Sequence, residues 1–519
     1  IYTLSLHDAL PIWSAIITLT VRKLTTGVTI APWTGVLFLA NTASAMQYLQ
    51  AAFRVQTPYA SETFGQKTQC YIFDFAPDRA LTVMAEATRL NTGAGKRTTG
   101  AQRKKMETLM NFLPIIGEGG HGMRPYRVDT LLAQIKRVYA EKAVKRGFDD
   151  DSLYSDELLM LKGDDLSAFN DLKAIVGTTK KDKRPMTIDV NHQGLTDEQY
   201  ERATAAEKKP KRERTAEEQA AIDQMNALKK QRRTMISILR GISIRIPLML
   251  YGLDVPVGDS VSVTQFVDAV DDASWAEFMP AGVTKALFRK FTKYYDADVF
   301  IEAGRIIRRK VKALDDLPPI ERAEALTPIL ATFCNPDKET VLTPWRVVNL
   351  QLGKTIGGLS FYDDAYEHQT VAGRSARHWI KTAVTDQVYR NDARILEINA
   401  KTGLYPLYAA LSCFDEGQRR LAGPLPAAEQ GRLWQQVLAK NIYVVAKTPM
   451  AAAIARRTLA GYHHWDTNIV YINGLVAAAR ADVRDAAAKI EREFGKMKFD
   501  VVIAPTRSEE RRVGKECRS

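Results

Sequence analysis

Short apolar runs alternate with amphipathic stretches through the last part of the chain. Three runs rich in Ile, Val and Leu have the composition of buried strands, and the stretches between them have helical spacing. Strands that alternate with helices predict a parallel sheet with right-handed crossovers. The predicted elements are strands at Arg394–Ile398, Asn441–Ala446 and Lys498–Ile503, and helices at Leu404–Phe414 and Thr467–Phe494.

The segment Asp392–Tyr408 has the pattern of a nucleotide-binding corner. A strand that carries Glu397 near its end is followed by the small polar turn Asn399–Gly403 and then by an apolar helix. In doubly wound sheets such a corner binds a nucleotide, since the helix offers N–H groups and the acid accepts hydrogen bonds. Because the turn holds one glycine, an ordinary strand–turn–helix is the alternative interpretation.

The residues before these strands have patterns that predict a region of mixed strands and helices, followed by a region of helices. Pro77–Leu90 and Tyr126–Lys145 are expected helices, and Ser237–Phe333 alternates amphipathic helices with turns. Asp268, Asp271 and Asp272 are expected as caps or solvent-facing acids rather than metal ligands. The other predicted elements are strands at Ile16–Val21, Val36–Leu39 and Cys70–Phe75, and helices at Met46–Gln56, Val267–Phe278, Lys285–Tyr295, Val299–Leu314 and Pro319–Phe333.

Residues Thr178–Arg233 are rich in charge of both signs and predict a linker. The basic clusters can follow a DNA backbone, or the segment can be a solvated helical connector. Thr196–Gln199 and Thr215–Glu218 have the sequence of capping boxes, which favours two helices here.

Charge and cysteine content limit the class of protein. The 519 residues carry a net charge of +13, which favours a polyanionic partner. The four cysteines are scattered and none forms a C-x-x-C pair, so a reducing, cytoplasmic setting is expected, without a disulfide framework or zinc site. The longest apolar run, Ile242–Leu253, contains Arg245 and Pro247, so no membrane span is expected.

Two segments near the start resemble motifs of superfamily-2 helicases. Thr25–Thr29 is similar to the T-x-G-x-D/T loop, and Gln50-x-x-Phe53-Arg54 is similar to the start of the Q-x-x-G-R-x-x-R helix. The resemblance implies a second RecA-like lobe, with ATP and magnesium bound in the full-length protein. It also implies contacts to nucleotide or DNA from Thr26, Gly27, Thr29, Gln50 and Arg54.

Two positions depart from the helicase pattern. The glycine position is Phe53 and the last arginine position is Thr57, so an arginine-finger role is in doubt and Arg54 is the phosphate-contact candidate. A plain loop and a surface arginine are the alternatives. Gly95-Lys96 and Gly353-Lys354-Thr355 fail the Walker A spacing, so the chain by itself is not expected to hydrolyse ATP.

Three later segments resemble the N6-adenine DNA methyltransferases, in the order of that family. Thr343-Pro344 is similar to the T-P that begins the helix over the cofactor, Leu396–Gly403 to the L-D/E-P-x-x-x-x-G loop, and Phe499–Ile503 to the strand before the catalytic N-P-P-Y/F. The resemblance implies S-adenosylmethionine as cofactor. The implied cofactor-binding residues are Thr343, Pro344, Glu397, Asn399, Lys401 and Gly403.

The methyltransferase pattern has departures too. Ile398 replaces the usual proline, and Lys401 either meets the methionine carboxylate of the cofactor or faces solvent. N-P-P-Y/F is absent from the chain, so no catalytic residue is assigned and this chain is expected to bind the cofactor without transferring its methyl group. No metal ligand is assigned.

L-T-P-W-R-V-V-N, I-L-E-I-N-A-K-T-G-L-Y-P-L-Y and K-T-P-M together resemble the large fused helicase–methyltransferases of bacterial restriction–modification systems, related to type I and type III enzymes. This implies an α/β chain with double-stranded DNA as partner. The expected parts are a RecA-like lobe with a helical extension (13–177), a charged helical linker (178–233), a helical coupling domain (234–335) and the N-terminal part of a Rossmann-like methyltransferase (336–506).

The residues at both ends, 1–12 and 507–519, resemble translated sequencing-adapter sequence, so an internal fragment of a longer protein is expected. Two other functions stay open. One is a DNA-binding motor scaffold whose methyltransferase fold is structural, and the other is a nucleic-acid helicase with a Rossmann-like partner domain. Sequence leaves the oligomeric state and the DNA recognition sequence open.

Overall fold

The chain forms two compact units, described here from a computed structural model. Unit 1 comprises residues 1–92, 96–138 and 182–221, and unit 2 comprises 93–95, 139–181 and 222–519. Within them the structure describes residues 2–5, 16–19, 29–39, 45–62, 65–75, 104, 107–108, 110–111, 115–119, 122–125, 127–155, 158, 163–176, 206, 209–333, 342–421 and 425–504.

The described part of unit 1 is mixed α/β with two-stranded sheets. β3 and β6 pair in parallel, whereas β1–β2, β4–β5 and β7–β8 are antiparallel pairs. A RecA-like lobe therefore stays a prediction. The elements are β1 Tyr2–Ser5, β2 Ile16–Leu19, β3 Gly35–Phe38, α1 Ala45–Ala52, β4 Ala60–Ser61, β5 Gly65–Gln66, β6 Tyr71–Asp74, β7 Ile116–Gly119, β8 Gly122–Pro125 and α2 Val128–Lys145, which continues into unit 2.

Helix α1 packs on the parallel pair β3–β6. The ring of Tyr48 stacks on Phe38 with centroids 4.4 Å apart, and Ile72 adds to the same small core. The predicted helix Met46–Gln56 is wrong in one respect, because α-helical geometry ends at Ala52 and a 3₁₀ turn follows at Phe53–Gln56. The predicted helix Pro77–Leu90 lies outside the described residues.

Helices follow, most of them in unit 2; the helix α4, Ala216–Ser243, begins in unit 1 and continues into unit 2. Thr215 and Glu218 form the predicted capping box at the start of α4. The Thr215 N–H donates to the Glu218 carboxylate at 3.1 Å, and the Glu218 N–H donates to the Thr215 hydroxyl at 3.2 Å. The second predicted capping box, Thr196–Gln199, lies outside the described residues. The helices are α3 Gly163–Val176, α4 Ala216–Ser243, α5 Ile246–Gly252, α6 Val263–Ala269, α7 Asp272–Phe278, α8 Lys285–Arg289, α9 Ala297–Lys312 and α10 Pro319–Ala331.

The predicted helix Val267–Phe278 is two helices. Val270 is extended, with φ −81° and ψ 126°, and Asp271 accepts a hydrogen bond from the Ser274 backbone N–H at 2.9 Å. An acid that caps a new helix ends the preceding one, because its backbone must leave the helical region. Asp271 is thus a cap, as expected, and no cluster of metal-binding side chains occurs among the described residues.

Helix α5 lies at the centre of unit 2, where every one of its residues is buried. One stretch in the described part of the chain is long and apolar enough to span a membrane: Thr234–Gly252, with mean hydropathy 1.3. Of this stretch, 89% is buried inside the protein, as is typical of a helix in a protein core. Gly252 allows this packing, since a Cβ there would lie 2.4 Å from Ile454.

A four-stranded parallel sheet follows, in the order β15-β14-β13-β16. The predicted parallel arrangement of three strands is confirmed. The elements are α11 Trp345–Thr355, β9 Gly358–Ser360, β10 Thr370–Val371, β11 Arg374–Ser375, β12 His378–Ile380, α12 Thr385–Val388, β13 Ile395–Ala400, α13 Leu404–Arg420, α14 Ala427–Lys440, β14 Ile442–Ala446, α15 Pro449–Ala460, β15 Asn468–Tyr471, α16 Leu475–Ala481, α17 Val483–Phe494 and β16 Val501–Ile503.

The predicted long helix Thr467–Phe494 is wrong at its start, because Asn468–Tyr471 forms the strand β15, and it is interrupted at Asp482, whose extended backbone separates α16 from α17. This run pairs with β14 from Asn468↔Tyr443 to Tyr471↔Ala446. Gly474, with φ 70°, then begins α16. β-branched and aromatic residues before an Asn-Gly dipeptide are local signals of a strand and a turn, and they outweigh the helical spacing here.

Burial makes Cys413 on α13 chemically inert. Burial raises the pKa of its thiol to about 12, so at pH 8 only about one thiol in ten thousand is the reactive thiolate. We expect iodoacetamide at pH 8 to modify the partly exposed Cys70 and to spare Cys413, as measured by peptide mass mapping. In denaturant both should react; equal reaction of both cysteines in the native protein would contradict the described packing.

Candidate functional site at the carboxyl edge of the sheet

The turns that follow β13 and β14 lie side by side. The two strands run parallel in register from Ile395↔Ile442, and the Lys447 N–H donates to the Ala400 carbonyl at 3.0 Å. We call residues 399–403 and 447–448 the carboxyl edge. In open α/β sheets ligands bind outside this edge, where the connections diverge.

Asn399 forms a bulge in β13. Its φ is 72°, and the register with β14 shifts between Ile398 and Ala400. Leu396 belongs to the core on one face of the sheet, while Ile395 and Ala400 belong to the core on the other. The extra residue therefore returns Ala400 to the face of Ile395, and it leaves the Asn399 side chain exposed.

Glu397 lies inside the strand, whereas the sequence predicts it at the strand's tip. It pairs in register with Val444 on one side and Ile503 on the other, and it is 3% exposed. By alternation its side chain shares the face of Ile395. The acid is thus part of the packed sheet two residues before the bulge.

Gly403 lets the turn press against α15. Its φ of 74° is left-handed, and a Cβ there would lie 2.9 Å from the Ala455 Cα. Beside it the Thr458 hydroxyl donates to the Thr402 carbonyl at 2.8 Å. The space that a Cβ at Gly403 would need is filled by protein, so the packing of the turn requires glycine here, and its role toward a cofactor stays a prediction.

Helix α13 points its N-terminal end at the carboxyl edge. Gly403 is its N-cap and provides no side-chain capping bond, and Pro406 in the first turn has no N–H. The peptide dipoles of a helix leave partial positive charge at this end, which favours an anionic group.

Lys401 and Lys447 share one carboxylate. Lys401 Nζ lies 3.6 Å from Glu277 Oε1, and Lys447 Nζ lies 2.5 Å from Glu277 Oε2. The Lys401 side chain is 17% exposed, so it does not simply face solvent. A role toward the methionine carboxylate stays a prediction.

Contacts of α11 place Thr343 and Pro344 near α13, the helix that follows the turn 399–403. Thr343 is buried, and Pro344 is the N-cap of α11. The Trp345 ring meets Tyr408 of α13 edge-on at 6.1 Å, and the Tyr405 hydroxyl donates to Gln351 of α11. Helix α13 therefore joins the T-P segment and the turn into one structural unit.

The helicase-type residues lie in unit 1. Thr26 and Gly27 lie outside the described residues. Thr29 and Gln50 are exposed, and Arg54 is partly buried in the 3₁₀ turn after α1. Gln50 and Arg54 lie one turn apart on the stretch formed by α1 and the 3₁₀ turn, and the role of all these residues toward nucleotide or DNA stays a prediction.

Sequence reasoning missed Lys447 of the carboxyl edge and Glu277, which contacts the edge from α7. Lys447 lies in the K-T-P-M segment, whose likeness to the methyltransferases was noted without a role for the lysine. Glu277 precedes the turn by more than a hundred residues and has no local signal. A separate cleft of about 200 Å³, lined by residues such as Pro318, Trp434 and Trp465, shares no residue with the edge.

Part of the chain is similar in sequence to a restriction–modification protein. Over 165 residues, 32% of this chain, it is 30% identical to a Mycoplasma pneumoniae protein named as the C-terminus of a candidate type II restriction enzyme and methyltransferase. The chain spans 22% of that protein's length. The similarity supports a restriction–modification relationship. No family model and no solved structure matches the chain.

Proposed function

We propose that this chain is part of a restriction–modification enzyme that acts on double-stranded DNA, and that its carboxyl edge binds S-adenosylmethionine. One observation supports this best. The L-E-I-N-A-K-T-G segment contains the end of β13, one of the two central strands of the parallel sheet. Helix α13 follows this segment and has no side-chain capping bond at its N-terminus. The parallel sheet with helices between its strands supports the Rossmann-like fold that we propose for this region.

The donor set at the edge fits the chemistry of the proposed cofactor. S-adenosylmethionine carries a carboxylate and an ammonium on its methionine part, and a diol on its ribose. Lys401, Lys447 and the N-terminus of α13 suit the carboxylate, and Glu277 and the exposed Asn399 offer acceptors for the ammonium and the hydroxyls. When bound, the cofactor supplies an activated methyl group.

In the whole enzyme we propose a helicase-type motor beside the methyltransferase region. Gln50 and Arg54 would then lie toward the phosphates of ATP, whose magnesium this chain is not proposed to hold. The net charge of +13 favours contact with the DNA backbone. Adenine N6 is the methylated atom that the motif order suggests.

The test is binding of labelled S-adenosylmethionine to the full 519-residue chain. We expect saturable binding that S-adenosylhomocysteine displaces and ATP does not, with ultraviolet crosslinks in peptides that contain Glu397–Gly403. A folded chain, as judged by circular dichroism, that binds duplex DNA and no cofactor would favour the DNA-binding scaffold instead.

Binding to nucleic acid is tested separately by fluorescence anisotropy. We expect duplex DNA to bind with an affinity that falls steeply as salt rises, because phosphate contacts release counterions. Preference for RNA over duplex DNA would contradict the proposed substrate and favour a helicase with a Rossmann-like partner domain.

A further inference from the structure

Helix α7 carries a carboxylate to the carboxyl edge from outside the sheet. Glu277 is in the last turn of α7 and its side chain is 15% exposed. Its two oxygens lie 3.6 Å from Lys401 Nζ and 2.5 Å from Lys447 Nζ. These lysines follow adjacent parallel strands, so Glu277 spans the gap between the two turns.

The position of Glu277 is held by more than these ion pairs. The buried hydroxyl of Ser274, one turn earlier in α7, accepts a hydrogen bond from the Met450 N–H at 3.0 Å. The next residue, Trp275, donates from its indole N–H to the Val283 carbonyl at 2.7 Å. Because these two bonds fix the helix, the backbone that carries Glu277 has little freedom to move, as a binding site requires.

The edge of the sheet provides no acid of its own after β14. In doubly wound sheets an acidic residue near the end of the second strand accepts hydrogen bonds from a ribose. Here β14 ends at Ala446 and is followed by Lys447, and the helix after that, Pro449–Ala460, contains neither Asp nor Glu. Through its contact with Lys447, the first residue after β14, Glu277 brings a carboxylate to the end of that strand.

We propose that Glu277 is the ribose-binding carboxylate of the site, an inference that rests on the proposed binding of S-adenosylmethionine. Each carboxylate oxygen accepts more than one hydrogen bond, so Glu277 can accept from the ribose hydroxyls while both lysines stay in contact. Lys401 and Lys447 act as positioning residues that fix the orientation of the carboxylate.

The test is a double-mutant cycle between the protein and the ribose, measured by calorimetry on the full chain. The ligands are S-adenosylhomocysteine and its 3′-deoxyribose analogue. For the wild type we expect the analogue to bind about tenfold more weakly, since a hydrogen bond to a charged group is lost. For Glu277→Gln we expect about tenfold weaker binding of the parent ligand and little remaining difference between the two ligands.

Asp272→Asn is the matched control, because Asp272 is on the same helix and also pairs with a lysine, Lys285, but is 94% exposed. Its affinities should equal those of the wild type. If Glu277→Gln does not fold, Glu277→Asp keeps the charge but withdraws it by one methylene, and it should lower the discrimination between the two ligands.

Two results would overturn the inference while the proposed function stands. In one, Glu277→Gln weakens both ligands equally and keeps the wild-type discrimination, so that the carboxylate acts only through the lysines. In the other, Glu277→Gln binds both ligands more tightly, so that the carboxylate obstructs the site. If the wild type binds neither ligand, the proposed function itself fails.

Discussion

Arg322→Met is expected to destabilise unit 2 by about 3–5 kcal/mol, the usual cost of removing one partner of a buried ion pair. The Arg322 side chain is 8% exposed and lies 3.5 Å from Asp315 Oδ1, whose side chain is fully buried. The guanidinium also donates to the carbonyls of Thr458 at 2.7 Å and Arg457 at 2.9 Å, at the end of α15. Methionine fills the space but leaves the two carbonyls without this donor and the buried carboxylate without this cation.

The control is Lys312→Met, which removes the second cation beside the same carboxylate. Lys312 lies 3.3 Å from Asp315 but is 47% exposed, so its loss should cost no more than about 1 kcal/mol. Urea unfolding of both variants, followed by tryptophan fluorescence, measures the difference. Equal effects would mean that burial does not distinguish the two pairs, which contradicts the packing described here.

Gly403→Ala is expected to cost about 2–4 kcal/mol, because two penalties combine. A left-handed backbone strains any residue with a Cβ by about 1 kcal/mol. The new methyl group would also lie 2.9 Å from the Ala455 Cα, and backbone cannot rotate away as a long side chain can. The turn must then move off α15, so the variant should also lose affinity for S-adenosylmethionine if the site is as proposed.

Gly474→Ala separates the two penalties. Gly474 precedes α16 in the same conformation, with φ 70° and ψ 14° against 74° and 15° for Gly403. A Cβ at Gly474 meets only the flexible end of Lys489, at 4.0 Å. We expect a loss of about 1 kcal/mol there. Similar unfolding free energies for the two variants would show that the contact with Ala455 contributes little.

Local sequence was informative where burial and periodicity agree. The strands at Ile442–Ala446 and Val501–Ile503 lie within the predicted runs. The first is buried throughout, and buried parallel strands need continuous apolar residues. Helix α13 begins at Leu404 as predicted, since a glycine that adopts positive φ ends the turn there. The capping box at Thr215 depends on neighbours three residues apart, so its bonds also follow from local sequence.

Predictions were wrong where a short signal competed with a longer pattern. Asn468–Tyr471 is four residues inside a stretch with helical spacing, and its pairing with β14 decides its conformation. The bulge at Asn399 is similar, because Asn tolerates positive φ without requiring it. Pairing with β14, whose register shifts at this position, determines that the strand continues past Glu397.

Local sequence predicts the strand–turn–helix of the candidate site, since the apolar pattern and a single glycine act over a few residues. Which side chains meet there depends on long-range packing within unit 2. Glu277 reaches Lys401 and Lys447 because α7 docks on α15 through Ser274 and Met450, far apart in sequence. Trp345 and Tyr408 likewise bring the T-P segment to α13. Contacts of this kind depend on packing across the whole unit, which no local pattern records.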